Sequence, residues 1–219
     1  MTVTRDKPYM SVTWIPKFLI GDRSCIWSCW FKAQHQDYER MPSDFDSAKW
    51  NAEHTDLLNK LIEDLEELGC ELFIERQNSF RVESASSGLV VSGKPDVIAD
   101  FPDGRTVIYD AKTGYQSPAH VLQVQLYMYL LPKSNLTRWR DMGRGMDMDK
   151  RFEGAVVYPG GHQVDVPADS IDDAFVARLA AFMQKMTSDM PPRRVPSGEE
   201  CRWCEIAFGD CPDRFVDVT

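Results

Sequence analysis

No run of apolar residues approaches the roughly 20 needed to cross a bilayer, which excludes a helical membrane protein. The opening, MTVTRDKPYM, lacks the basic stretch followed by an apolar segment that marks a secretory leader, so the chain reads as cytoplasmic. Repeats and low-complexity tracts are also missing, which excludes solenoid, fibrous and disordered classes. Positive charge is in short supply: 25 Lys and Arg face 34 Asp and Glu, a formal net charge of -9. That balance lacks the basic excess expected where phosphate is held by bulk electrostatics. A cleft can still be locally basic. Arg138, Arg140, Arg144, Lys150 and Arg151 fall close together, and Trp139 among them suits stacking on unpaired bases, although the group reads equally well as a solvated loop.

What is present is the composition of a soluble globular domain, 43% hydrophobic and 27% charged. The 219 residues suffice for one well-packed core with a small appended subdomain. The six cysteines, Cys25, Cys29, Cys70, Cys201, Cys204 and Cys211, are unevenly spread. Three stand in the tail segment CRWCEIAFGDC, and in a cytoplasmic chain such spacing points to metal rather than disulfides. Three thiolates leave both four-coordinate zinc and a 4Fe-4S cluster one ligand short, so the N-terminal region must supply the fourth.

Apolar residues recur at helical period from Trp50 to Leu68, with Gly69 as the stop. The segments ELFIERQNSFRV, GLVVSGKPDVIADF and RTVIYDAKT are rich in Val, Ile, Phe and Tyr and read as strands. Asp103-Gly104 between two of them predicts an antiparallel hairpin of 97–101 with 106–111. HVLQVQLYMYLL reads as a buried helix ended by Pro132, and FEGAVVYPGGHQVDVP as a second hairpin. Ser170 and Asp173 form a capping box for a helix over 171–186 with Phe175, Leu179, Phe182 and Met186 as its stripe. The Pro/Arg stretch from Pro191 to Gly198 is a hinge into the cysteine tail.

In an extended strand side chains alternate, so Asp110 and Lys112 share a face and Ala111 takes the other. Asp96, at the start of the partner strand, brings a second carboxylate near Asp110. Two acidic oxygens suit a hard divalent ion, Mg²⁺ or Mn²⁺, and the set fits phosphodiester hydrolysis: the ion orients a phosphate and acidifies a water, while Lys112 positions the nucleophile or offsets charge. Asp-x-Lys alone occurs on many exposed strands. Its context carries the weight.

Pro95-Asp96, DAK at 110–112 and QVQLY at 123–127 resemble the signature of the RecB-like PD-(D/E)XK nucleases, with its Gln-x-x-x-Tyr helix. The resemblance runs from about Cys25 to Cys211. It implies an α/β core with a central mixed sheet flanked by helices over 46–189, within one nuclease domain of 1–219, and a cysteine-ligated cluster module of 1–45 with 190–219. Asp96, Asp110, Lys112, Gln123 and Tyr127 become the catalytic set. His54, Asp96, Asp110 and the carbonyl of Ala111 become the metal ligands; His35, His120 and His162 are weaker candidates.

Iron-sulfur members of the class, AddB-type subunits and CRISPR-associated exonucleases, carry one cysteine before the core and three after it. This implies a 4Fe-4S cluster on Cys25, Cys201, Cys204 and Cys211, with Cys29 one helical turn from Cys25 as the competing ligand and zinc as the competing metal. Cys70 reads as a small apolar residue. The implied activity is a Mg²⁺- or Mn²⁺-dependent exonuclease on single-stranded DNA or DNA ends, in CRISPR adaptation, phage recombination or DNA repair, with protein partners from those systems and room for a homo-oligomer. Two other readings stand beside it: a catalytically inactive DNA-end-binding or interaction subunit stabilised by the cluster or zinc, and a redox or metal sensor.

Overall fold

The computed structural model describes residues 1–136 and 152–215, so the basic group at Arg138, Arg140, Arg144, Lys150 and Arg151, with Trp139, lies outside the described residues. In chain order the main elements are helix α1 (Ile26–Gln34), helix α2 (Ser47–Glu67) and strands β1 (Glu71–Ile74), β2 (Val97–Asp100) and β3 (Thr106–Ala111). Helix α3 (Pro118–Leu130), strands β4 (Glu153–Tyr158) and β5 (His162–Val166), helix α4 (Asp173–Met186) and the short α5 (Gly198–Arg202) follow. The chain forms two compact units. One comprises Met1–Phe45, Glu83–Val91 and Val176–Thr219, the other Asp46–Val82 and Ser92–Phe175.

The second unit is built on a five-stranded sheet of order β5-β4-β3-β2-β1. Strands β3 and β4 run parallel, and the remaining pairs are antiparallel. The sheet is therefore mixed and flanked by helices. A parallel pair cannot be joined by a tight turn, and the β3–β4 connection accordingly carries α3. The hairpin predicted at Asp103-Gly104 forms, pairing Val97 with Tyr109 and Asp100 with Thr106.

Helix α2 begins where the Asp46 carboxylate accepts from the Lys49 amide at 3.0 Å, and ends before Gly69, whose φ of 75° needs no Cβ accommodated. Its Leu58, Leu61 and Leu65 bury against Val97, Ala99, Val107, Tyr109, Ala155 and Val157, the residues that strand alternation turns to one face. Each such leucine contributes about 1.5–3 kcal/mol by leaving water. The other face receives α3. Gly154 of β4 permits the approach, because a Cβ there would collide with Val124 and Met128.

Three expectations change. The run ELFIERQNSFRV is two strands, β1 and Phe80–Glu83, because Glu75 turns to φ 43° and a short 3-10 turn follows. Gln77 Oε1 accepts from the Ile74 amide at 2.9 Å and Asn78 Nδ2 donates to the Phe73 carbonyl at 2.6 Å, bonds that replace the strand ladder. The next run likewise divides into Val90–Gly93 and β2, with Pro95, which has no amide to donate, between them. Helix α4 starts at Asp173: Asp172 Oδ1 accepts from the Phe175 amide at 2.7 Å, so Asp172 is the cap. Ser170 instead ends a 3-10 turn, its hydroxyl buried without a hydrogen bond among the described residues. The stripe Phe175, Leu179, Phe182 and Met186 is buried as expected. Among the described residues no helix is long and apolar enough to cross a membrane.

Candidate active site

The second unit brings the residues singled out by the sequence onto one network. Asp96, just before β2, accepts the Ala111 amide on Oδ2 at 2.8 Å, and His54 Nε2 of α2 stands 3.3 Å from the same oxygen. One residue before Ala111, Asp110 turns to the opposite face, where Oδ1 accepts from Gln123 Nε2 at 3.0 Å. The same amide nitrogen lies 3.0 Å from Tyr127 Oη, and that hydroxyl donates to the Lys94 carbonyl at 3.4 Å. Gln123 and Tyr127 are four apart on α3, so they lie on one helical face and reach the sheet together. Lys112 continues past β3, its amide bonded to the Val157 carbonyl at 2.8 Å and its Nζ 2.6 Å from Asp110 Oδ2.

Burial governs the electrostatics. Asp110 is almost wholly enclosed, and loss of water pushes its carboxyl up to about 6, with Lys112 pulling it down and Asp96 pushing it up. The hydrogen bond to Asp96 raises His54, against the desolvation that lowers it. Apart from the Lys112 ammonium, Asp110 Oδ2 has no partner among the described residues. Lys112 is thus the one partner of that buried oxygen among the described residues, and the neighbouring carboxylate and imidazole are donor types that divalent metals take. Among the described residues no three His, Cys, Asp or Glu side chains converge closely enough to hold a metal as they stand.

Several neighbours carried no motif. Trp50, one turn before His54, stacks on its ring at 5.0 Å between centroids. The Glu75 amide donates to the Asp96 carbonyl at 2.8 Å, and Asn78, fully buried, donates to the Pro95 carbonyl at 3.4 Å, so the residues around the turn at Glu75 hold the segment carrying Asp96. Only the i−4 spacing of Trp50 from His54 was visible beforehand. His35 lies elsewhere, in the first unit, stacked on Phe31; His162 is exposed.

In the first unit Trp27, Phe31 and Tyr38 form a core with Ile206 and Cys211, and Cys25 and Cys204 pack against it. Cys25 Sγ accepts from the Val195 amide at 3.5 Å, and Cys201 Sγ from the Phe215 amide at 3.3 Å. Arg214 ties the tail by donating to the carbonyls of Cys201, Cys204 and Ile206 at 2.6, 2.9 and 2.8 Å. Burial raises the Cys211 thiol; Arg194 lowers it, and Cys204, Cys201 and Cys25 raise it further. Cys29 is different: its burial pushes the thiol up to about 12, with no other cysteine contributing. Cys70 packs beside the α2 core of the other unit.

A mixed sheet with helices on both faces, carrying two carboxylates and a lysine at the edge of an antiparallel strand pair, has the architecture of a nuclease-type α/β domain. The chain belongs to the PD-(D/E)XK nuclease superfamily, whose family model matches residues 28–208. Members are typically metal-dependent nucleases. No curated protein matches the chain. A solved structure titled "Crystal structure of SSO0001" is similar at 14% identity and a TM-score of 0.47, over 97% of this chain and 89% of that one.

Proposed function

We propose that this protein is a Mg²⁺- or Mn²⁺-dependent DNA nuclease of the RecB-like type, acting as an exonuclease on single-stranded DNA or DNA ends. The observation that carries this is the continuous network from His54 through Asp96 and the Ala111 amide to Asp110, Lys112, Gln123 and Tyr127. His54, Asp96, Asp110 and the Ala111 carbonyl would hold the ion. Such an ion lowers the pKa of a bound water and offsets charge on the phosphate. Gln123 fixes one oxygen of Asp110 and leaves the other turned to Lys112. Lys112, partly exposed, can exchange that carboxylate for the attacking water or a phosphate oxygen. Tyr127 holds Gln123 in register.

The cysteine module, from 1–45 and 190–219, holds a 4Fe-4S cluster on Cys25, Cys201, Cys204 and Cys211, with zinc as the other occupant these thiolates fit. Its support is the packing of Cys25, Cys204 and Cys211 about one core and the amide donors to the sulfurs of Cys25 and Cys201. End trimming of this kind serves CRISPR adaptation, phage recombination or DNA repair. An inactive DNA-end-binding subunit is the competing reading. Against it stands the Asp110–Lys112 pair: a buried ion pair contributes little to stability compared with apolar packing, so a purely structural fold gains nothing from it.

Linear and circular single-stranded DNA of the same sequence, incubated with anaerobically prepared protein and Mn²⁺, test the exonuclease reading. Degradation of the linear strand with the circle intact is expected. Cutting of the circle makes the enzyme an endonuclease, and binding of both without cutting favours the inactive subunit.

A further inference from the structure

Residues 112–117 join β3 to α3, so the chain enters this loop from Asp110 and Ala111 and leaves it for Gln123 and Tyr127. Both ends are fixed. The Lys112 amide donates to the Val157 carbonyl at 2.8 Å, and Ser117 caps α3 by accepting from the Ala119 amide at 3.2 Å. The first turn of α3 is also held to β4, with His120 Nδ1 3.0 Å from the Tyr158 hydroxyl. Three residues beyond Lys112 stands Tyr115, 98% exposed. Three residues span at most about 11 Å, so the loop keeps Tyr115 close to the lysine. At 3.4 Å of rise per nucleotide in one strand, that reach covers about three nucleotides.

A ring exposed to this degree packs on nothing among the described residues, and a Cβ built on the adjacent Gly114 would meet nothing within 4 Å. Space beside the ring is open. Its chain neighbours Thr113, Gly114, Gln116 and Ser117 add no apolar side chain, so the loop lacks the apolar patch that a protein partner buries. From Ala111 to Arg140 the sequence holds no Asp or Glu, in a chain that has 34, so phosphates meet no acidic side chain of this loop. The loop also leaves the carboxyl end of a strand paired in parallel with its neighbour, the end at which open α/β sheets take ligands. Among the unit's described residues the other large exposed aromatic is Trp50, which stacks on His54 on the Asp96 side of the network. Unpaired bases offer the π faces that an aromatic ring stacks on, whereas bases inside a duplex are already stacked on one another.

We propose that Tyr115 stacks on an unpaired DNA base within about three nucleotides of the phosphate at Lys112, and so selects single strands and frayed ends; this rests on the reading above of the site as one that takes DNA.

Anisotropy of labelled single-stranded DNA in Ca²⁺ tests it on the full chain, prepared anaerobically, as wild type, Tyr115→Ala, Tyr115→Phe and Tyr115→Trp, each shown to be folded by a melting curve. A second set of strands carries one abasic position in turn along its length, and cleavage in Mg²⁺ or Mn²⁺ is read alongside. Tyr115→Ala should bind the intact strand about tenfold more weakly, the loss expected for one stacked base. Tyr115→Phe and Tyr115→Trp, which keep an aromatic face, should stay within about threefold of wild type. An abasic site at one position should weaken wild type by a similar factor and leave Tyr115→Ala unchanged, because ring and base act as a pair. Tyr115→Ala binding within about twofold of wild type overturns the proposal. So does a loss equally large in Tyr115→Phe, which assigns the contact to the hydroxyl, or a loss that adds to that of every abasic strand, which leaves no base on the ring. A wild type that neither binds nor cuts DNA overturns this contact and the nuclease reading together. Binding with the expected pattern but without cutting supports the contact and overturns the nuclease reading, whereas a cutting wild type with indistinguishable variants overturns the contact alone.

Discussion

Gln123 Nε2 stands 3.0 Å from Asp110 Oδ1 and 3.0 Å from Tyr127 Oη, so one side-chain amide joins the acidic end of β3 to the helix packed over it. Replacing Gln123 by Leu leaves a buried carboxylate oxygen without its donor. We expect a loss of about 1–3 kcal/mol in stability and a fall of about 10–100-fold in kcat, read by denaturant unfolding and cleavage assays. Unchanged unfolding together with unchanged kcat would show that the bond does not orient Asp110.

Burial lifts Asp110 to about 6, and the sign of its effect follows from linkage. Between its unfolded value near 3.9 and about 6, the folded state holds a proton that the unfolded state has lost, so stability from this group is present below pH 4 and lost as pH rises past 6. Asp110→Asn removes the buried charge. The metal-free variant should melt about 6–11 °C above metal-free wild type at pH 7.5, a gap that narrows to about 2–4 °C at pH 4.5 and closes below the unfolded value. A difference independent of pH would mean that Asp110 titrates normally.

Most of the fold was legible because its signals are local: the 3.6 period of α2, Asp103-Gly104 between two apolar runs, and the Pro-Gly-Gly turn between β4 and β5 each act over a few residues. The breaks at Glu75 and at Pro95 were not, since the hydrogen bonds of Asn78 that hold them join Phe73 to Pro95 across 22 residues of chain. The same limit hid the cap of α4, where Ser170 and Asp172 are both competent caps and tertiary packing selects one. In the candidate site Asp96, Asp110, Lys112, Gln123 and Tyr127 stand out by spacing. Glu75 and Asn78, which hold the segment carrying Asp96, do so from positions that no spacing marks.

Gly154 lies where α3 crosses β4. Gly154→Ala places a methyl against Val124 and Met128, and overpacking of this kind costs about 1–3 kcal/mol, a drop in Tm of about 3–10 °C with an unchanged far-UV spectrum. A variant as stable as wild type would show that α3 can shift freely.

The cysteine assignment predicts brown protein from anaerobic preparation, with about four irons per chain. Cys204→Ser should bleach it and lower its Tm, because a ligated metal contributes folding energy. Cys29→Ala and Cys70→Ser should keep the colour: neither thiol belongs to the set, and burial keeps Cys29 protonated. Colourless protein carrying one zinc replaces the cluster, and colour lost with Cys29 but kept without Cys25 reverses the choice of fourth ligand.

The most direct measurement is cleavage of end-labelled single- and double-stranded DNA in Mg²⁺ or Mn²⁺ by wild type, Asp110→Ala and Lys112→Ala, each shown to be folded. The account predicts metal-dependent cutting by wild type that chelation stops and that both substitutions reduce by at least about 100-fold. Folded wild type that binds DNA and cuts it in neither metal, or substituted proteins that cut as wild type does, would contradict it.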